Sequence, residues 1–322
     1  MTRPLLRAAR LSLVLLTLAA PLAHAYPSKT ITIVVPTAPG GGNDAMARVI
    51  AQKIAPLLGQ AVVVENKAGA NGAIASEHVA RAAPDGHTVL FGYVATPAMN
   101  PALQKLRYDP VRDFEPVGLI GYSPTLMVVN PQLKGRDARG TLERLRGGSD
   151  KFSYASAGSG TAPHFAAELF KMSTGMQLLH VPYKGSAPAM SDTLAGHTQV
   201  MFPSLFSALP HVKAGKLHAV AVAGSRRSGS LPDVPTLKEL GVQGVDVTQW
   251  YGLFLPARTP KPVVERLSAL LREVLHDKET IARIEEQGAD VQTSTPDELR
   301  TLVREDLARW RLVAQQAGIT AD

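Results

Sequence analysis

Cysteine is absent from all 322 residues. The chain therefore has no disulfides, no thiol chemistry and no cysteine for lipid attachment behind a leader, and its stability must come from an apolar core. Long apolar runs are also scarce. Leu11–Leu18 falls well short of the roughly 20 residues that span a bilayer, and no later segment comes closer. A strong charge of one sign is missing too. The formal charge of +7 falls to +4 without Arg3, Arg7 and Arg10, and the remaining basic residues are scattered without aromatic interleaving, so no nucleic-acid partner is expected.

Catalytic signatures are equally thin. No serine sits in a G-x-S-x-G elbow, and the nine histidines form neither H-E-x-x-H nor a chelating spacing with nearby acids. Tyr183-Lys184-Gly185-Ser186 reverses the order of a phosphate-binding Walker loop. No catalytic residue, metal or cofactor is expected.

What is present begins with an address. Arg3, Arg7 and Arg10 precede the short apolar run, and Ala23-His24-Ala25 supplies a small-x-small cleavage pattern. Residues 1–25 read as an export signal, with the mature chain starting at Tyr26 in the periplasm.

The mature chain is organised around Ile31–Asp44, I-T-I-V-V-P-T-A-P-G-G-G-N-D. Five β-branched residues read as a buried strand. Two prolines and three glycines stop it, and a helix is expected to start with Asn43 or Asp44 as N-cap. A strand running through a glycine loop into a helix start makes an anion site, because free N–H groups and the helix dipole favour negative charge. Gly40, Gly42 and Ala45 with Glu65 fit a loose dinucleotide fingerprint, but Pro36 and Pro39 stretch a turn that such a loop keeps tight.

Downstream, strand and helix patterns alternate. Strands are expected at Ala61–Glu65, Thr88–Tyr93, Leu126–Val129, Phe152–Ser156, Gln177–Val181, Gln199–Phe202, Leu217–Ala223 and Trp250–Leu255. Helices are expected at Ala45–Leu58, Ile74–Ala82, Pro163–Met172, Ala187–Leu194, Leu205–Val212, Pro262–Leu275 and Pro296–Ala317. Asp109 to Pro116 reads as strand-poor. Unalternated Val, Ile and Leu suit parallel strands covered on both faces, hence an α/β fold of mostly parallel sheets flanked by helices. The last helix carries an apolar face from Leu299 to Ala317 that needs the N-terminal lobe beneath it. The chain is thus expected to cross between lobes twice: residues 26–124 with 247–322 form lobe 1, and 125–246 form lobe 2.

Lobe 2 repeats the opening device: strand Phe152–Ser156, small-residue loop Ala157–Thr161, helix from Ala162. Thr161 suits an N-cap there, as does Ser186 for Ala187–Leu194. Two lobes that each aim a glycine loop suggest a ligand in the cleft between them. Ser156, Ser159 and His164 leave an exported α/β enzyme acting on a small acid as the alternative, although hydroxyls in such loops more often bond ligand or backbone.

The chain resembles the periplasmic receptors of tripartite tricarboxylate transporters, the Bug receptors. The resemblance rests on Val35-Pro-Thr-Ala-Pro-Gly-Gly-Gly-Asn-Asp44 and Val62-Val-Val-Glu-Asn-Lys-Ala-Gly69. It continues in Tyr154-Ala-Ser-Ala-Gly-Ser-Gly-Thr-Ala-Pro-His164, His180-Val-Pro-Tyr-Lys-Gly-Ser-Ala-Pro188 and Leu231-Pro-Asp-Val-Pro-Thr236. It implies a two-lobed Venus-flytrap protein that captures a small organic acid and hands it to a membrane permease, acting as a monomer; a signalling partner in place of the permease is not distinguished. By position, Thr37, Ala38, Gly41 and Asp44 would contact the ligand from the first loop. Ser156, Gly158, Ser159, Gly160 and Thr161 would do so from the second, with His164, Tyr183 and Thr96 beside them. Thr37 stands where the family often has phenylalanine, which exchanges an aromatic wall for a hydroxyl.

Overall fold

The computed structural model describes residues 26–286 and 288–320. The export signal expected at residues 1–25 lies outside them. In chain order the strands are β1 (Ile31–Val35), β2 (Val62–Asn66), β3 (Thr88–Tyr93), β4 (Phe114–Val129), β5 (Ser153–Ser156), β6 (Leu179–Pro182), β7 (Val200–Met201), β8 (His218–Ala223), β9 (Thr248–Pro256) and β10 (Asp290–Val291). The first helices are α1 (Gly42–Leu58), α2 (Ala73–Ala80), α3 (Asn100–Leu103), α4 (Ala138–Arg146) and α5 (Ala162–Thr174). They are followed by α6 (Ser186–Ala195), α7 (Leu205–Lys213), α8 (Lys261–His276), α9 (Lys278–Glu285) and α10 (Pro296–Ala317).

All ten strands join one sheet, in the order β2-β1-β3-β9-β4-β7-β5-β6, with β8 and β10 also on β4. β1 is nearly all buried, as its five β-branched residues require, and it pairs in parallel with β2 and β3. β5 lies parallel between β6 and β7. Both groups keep the parallel order that their intervening helices impose.

The centre differs from the expectation of mostly parallel sheets. β9 runs antiparallel to both β3 and β4, and β4 runs antiparallel to β7, β8 and β10, so the sheet is mixed. β4 also begins twelve residues earlier than its expected start and absorbs Pro116, Gly118, Gly121 and Pro124. Register shifts between Pro116 and Gly118 and between Leu119 and Gly121 accommodate these breakers, as bulges do. β4 pairs with β9 as far as Pro124 and with β8 from Thr125 onward. The returning chain mirrors this handover: Val247 donates to Ala223 O just before β9 begins. Trp250 and Tyr251, on β9, are 1% exposed and belong to the strand core.

α10 opens with a capping box, Thr295 and Glu298 each bonding the other's backbone. Its buried face is Leu299, Val303, Leu307, Trp310 and Ala314, each such large apolar side chain contributing roughly 2 kcal/mol. The helix covers β4 and reaches α5, where Trp310 meets Phe165 edge-on at 5.2 Å. Asp306, on the same face, accepts the Trp250 indole N–H at 2.6 Å. Burial pushes its carboxyl up, against the lowering effect of that bond.

Candidate ligand-binding cleft

The first loop turns sharply at Gly40, whose φ of 81° falls in the left-handed region open to glycine. Gly41, not Asn43 or Asp44, is the N-cap of α1, and no side chain caps the helix. Asp44 is instead inside the first turn. Its Oδ2 accepts the Gly40 N–H and the Arg48 Nε–H, each at 3.0 Å, and Oδ1 lies 3.0 Å from Arg48 Nη2. Burial alone would raise this carboxyl, but bonds from Arg48, Gly40 and Asn66 together hold it below the ordinary range. Asn66 also donates to Thr37 O at 3.1 Å. Thus a carboxylate, a guanidinium and an amide fix the loop, while the uncapped N–H groups at the start of α1 stay available.

The second loop is fixed by neutral groups. Ser156 Oγ accepts the Gly158 N–H at 3.1 Å and lies 2.7 Å from His180 Nε2. The Thr161 hydroxyl donates to Gly158 O at 2.5 Å, and the Gly160 N–H donates to His164 Nδ1 at 3.1 Å. Tyr154, His180 and His164 stack in a row, with ring centroids 4.7 Å and 4.6 Å apart. Thr161 holds the N-cap position of α5, but with its hydroxyl turned back into the loop it makes no side-chain cap. Gly185, not Ser186, is the N-cap of α6, also without a side-chain cap.

These starts converge. A Cβ on Gly185 would stand 3.4 Å from Ala38 N, and one on Gly41 would stand 4.0 Å from Ala187 N. Gly42 abuts Phe206 and the serines Ser204 and Ser207 at the start of α7. On the other side, Asn71 donates to Ser159 O, and Gly160 faces Asn100 and Leu103. Thr37, Thr96, Asn100, Ser156, Ser159, Thr161 and His164 are all buried here, and among the described residues no lysine or arginine is.

Not every expected contact residue turns toward the centre. Thr96 sends its hydroxyl to Tyr93 O at 3.0 Å and presents its methyl to Gly72. The Tyr183 hydroxyl is engaged by Asp192 on α6, and burial and then that carboxylate push it up to about 12. Lys184 is exposed, and Glu65 pairs with Lys67 at 2.6 Å, away from any ribose-like role. Ser156 does find a histidine, but it is His180 rather than His164, and the serine is fully buried. Asn71 and Asn100 join the centre without having been singled out from sequence. The signal at Asn71 is local: it lies between Gly69 and Gly72 and adopts a φ of 54°.

Two hollows flank the convergence. One of about 150 Å3 lies at Gly40, Gly41, Ser186, Ala187, Ser207 and His211. The other, about 630 Å3, lies behind α3 and includes Lys105, Arg107, Arg112 and Arg311. It shares no residue with either glycine loop, and its size alone does not make it the site.

Paired strand-loop-helix units whose glycine starts face each other across a bent sheet define a solute-binding protein of the periplasmic type. Residues 46–319 match the tripartite tricarboxylate transporter family receptor profile, and the chain belongs to that family. The solved periplasmic binding protein BugD is 35% identical, with a TM-score of 0.88 over 92% of this chain and 100% of its own. A Rhodopseudomonas palustris protein solved with adipate, Rpa4515, is 32% identical, with a TM-score of 0.89 and coverage of 92% and 100%. MatC from the same organism, solved with malate, is 35% identical, with a TM-score of 0.84 and coverage of 89% and 99%.

Proposed function

We propose that the protein is a periplasmic, non-enzymatic receptor that captures a small organic carboxylate between two lobes and delivers it, as a monomer, to a tripartite tricarboxylate transporter permease. The lobes comprise residues 26–124 with 247–322 and residues 125–246, joined where β4 and the entry to β9 change ladders. One observation carries the reading: α1 and α6, from opposite sides, start on adjacent glycines with no side-chain cap. With α5 starting likewise, three helix N-termini offer N–H donors and partial positive charge to a carboxylate. The absence of a buried cation among the described residues fits capture by N–H groups and water rather than by an ion pair. Relatives held with adipate and malate fit the same chemistry.

The test is thermal unfolding of the purified protein with small carboxylic acids and their neutral amides. An acid at about 100 times its dissociation constant should stabilise by roughly 2.7 kcal/mol, and its amide should not. Equal stabilisation by the amides would sink the carboxylate reading, and consumption of the bound acid would make the protein an enzyme.

A further inference from the structure

The hydroxyl groups around the convergence are nearly all spent. Ser156 serves Gly158 and His180, Thr161 serves Gly158, Thr96 serves Tyr93, and Ser204 and Ser207 bond each other at 3.1 Å. Thr37 breaks this pattern. It is 8% exposed, yet its Oγ1 has no hydrogen-bond partner among the described residues. Its backbone cannot easily swing away, because Asn66 holds its carbonyl at 3.1 Å. Its Cβ lies 4.0 Å from where a Gly185 side chain would begin, so it stands at the seam of the two halves. A buried hydroxyl left unpaired is costly, and a native fold keeps one where something else completes it.

Resting on the carboxylate reading, we infer that Thr37 is a specificity residue that hydrogen-bonds a hydroxyl of the ligand, so that hydroxy acids are preferred over the corresponding unsubstituted acids. The carboxylate itself is provided for by the helix N-termini. The fixing bonds of this loop bring no cation to Thr37: Arg48 is bound to Asp44, and a neutral amide, Asn66, holds the Thr37 carbonyl. An uncharged donor-acceptor group needs no cation and matches a threonine hydroxyl, which donates once and accepts as well. A site built around a ligand hydroxyl penalises the analogue lacking it, because the protein's own group is then buried unpaired.

The test uses matched acids: propionate and lactate, succinate and malate, glutarate and 2-hydroxyglutarate. Affinities are measured by titration calorimetry on wild type, Thr37→Val and Thr37→Ser, with Thr37→Ala as a second deletion should valine perturb folding. In wild type, the hydroxylated member of at least one pair should bind about tenfold or more tighter. Thr37→Val should bring that ratio close to one by weakening the hydroxylated acid alone, and Thr37→Ser should preserve it. Binding of both members with a ratio near one in wild type, or a ratio unchanged in Thr37→Val and Thr37→Ala, overturns the assignment and leaves the carboxylate reading standing. A folded wild type that binds no member of any pair overturns this inference, and the amide comparison above then decides separately whether carboxylate capture fails with it.

Discussion

The two glycine loops do the same job with different chemistry. In the first, an ionised side chain does the fixing: Asp44 ties Gly40 to Arg48, and Asn66 ties Thr37 O. In the second, no formal charge touches the loop in its fixing bonds; Ser156, Thr161 and His164 bond its own backbone. The second loop thus consumes its hydroxyls internally and presents backbone, whereas the first spends a carboxylate and keeps the Thr37 hydroxyl in reserve. Stiffness and selectivity are therefore divided between the halves. Side-chain caps are not confined to one part of the molecule: Asp137, Asp277 and Thr295 cap α4, α9 and α10, Ser204 caps α7 beside Gly42, and α8 starts at Pro260 without one.

The largest effect expected from breaking this division is at Gly158. Its φ of 118° is rarely adopted by a residue with a Cβ, and that Cβ would collide with Asn71 Oδ1 and crowd Tyr183 O at 3.1 Å. Gly158→Ala should cost about 3 kcal/mol, combining backbone strain with loss of the Asn71–Ser159 bond. In a protein of this size that lowers the unfolding midpoint by roughly 5 °C. A calorimetric midpoint that stays put would show that the second loop is not the rigid partner.

Next is Asp44→Ala, which leaves the N–H of the exposed Gly40 without its side-chain acceptor and frees Arg48. The expected loss is about 1.5 kcal/mol, most of it from the charge-assisted bond to Gly40, because water can reach the freed N–H and the half-exposed Arg48 ion pair is screened. The pH dependence distinguishes the two loops. The folded state holds the Asp44 carboxyl below its ordinary value of 3.8. Its contribution is therefore fully present above pH 3.8 and is lost as pH falls through the lower folded value. The stability gap between wild type and Asp44→Ala should be constant near neutrality and narrow only in strong acid. A gap that narrows instead between pH 7 and 5 would assign the loop's stability to a histidine and erase the contrast.

Much of this was readable from the sequence where local pattern and tertiary demand agree. β1 and α10 fall at Ile31–Val35 and Pro296–Ala317 as expected, because five β-branched residues and a capped amphipathic repeat leave no rival conformation. β4 was cut short because Pro116, Gly118, Gly121 and Pro124 mark a break in sequence, and only pairing with β9 shows that bulges take them up. α4 escaped notice: A-R-G-T-L-E-R-L-R holds only two leucines on its buried face among charges and a glycine. The N-caps were misassigned for one reason. Serine, asparagine and aspartate are good caps, but here Gly41 and Gly185 begin the helices, so that each start comes close to the opposite half. Asn71 and Asn100 reach Ser159 and Gly160 across nearly ninety and sixty positions, respectively, and no local pattern encodes such a meeting.

The smallest expected effect gives the sharpest comparison, because it sets two threonine-to-valine changes side by side. Thr161→Val removes the hydroxyl that donates to Gly158 O at 2.5 Å, a paired neutral bond whose loss costs about 1 kcal/mol. Thr37→Val removes a hydroxyl that the free protein leaves unpaired, so stability should hold or rise slightly. Ligand discrimination should respond in the opposite sense. Thr161→Val should leave the ratio between hydroxylated and plain acids unchanged, since its hydroxyl never leaves the loop, whereas Thr37→Val should collapse it. Unfolding midpoints and matched-acid titrations on both variants therefore form a crossed design. If Thr161→Val changed the ratio and Thr37→Val lowered the midpoint, the roles of the loops would be reversed: selectivity would lie in the second loop, and the first would be mere scaffold.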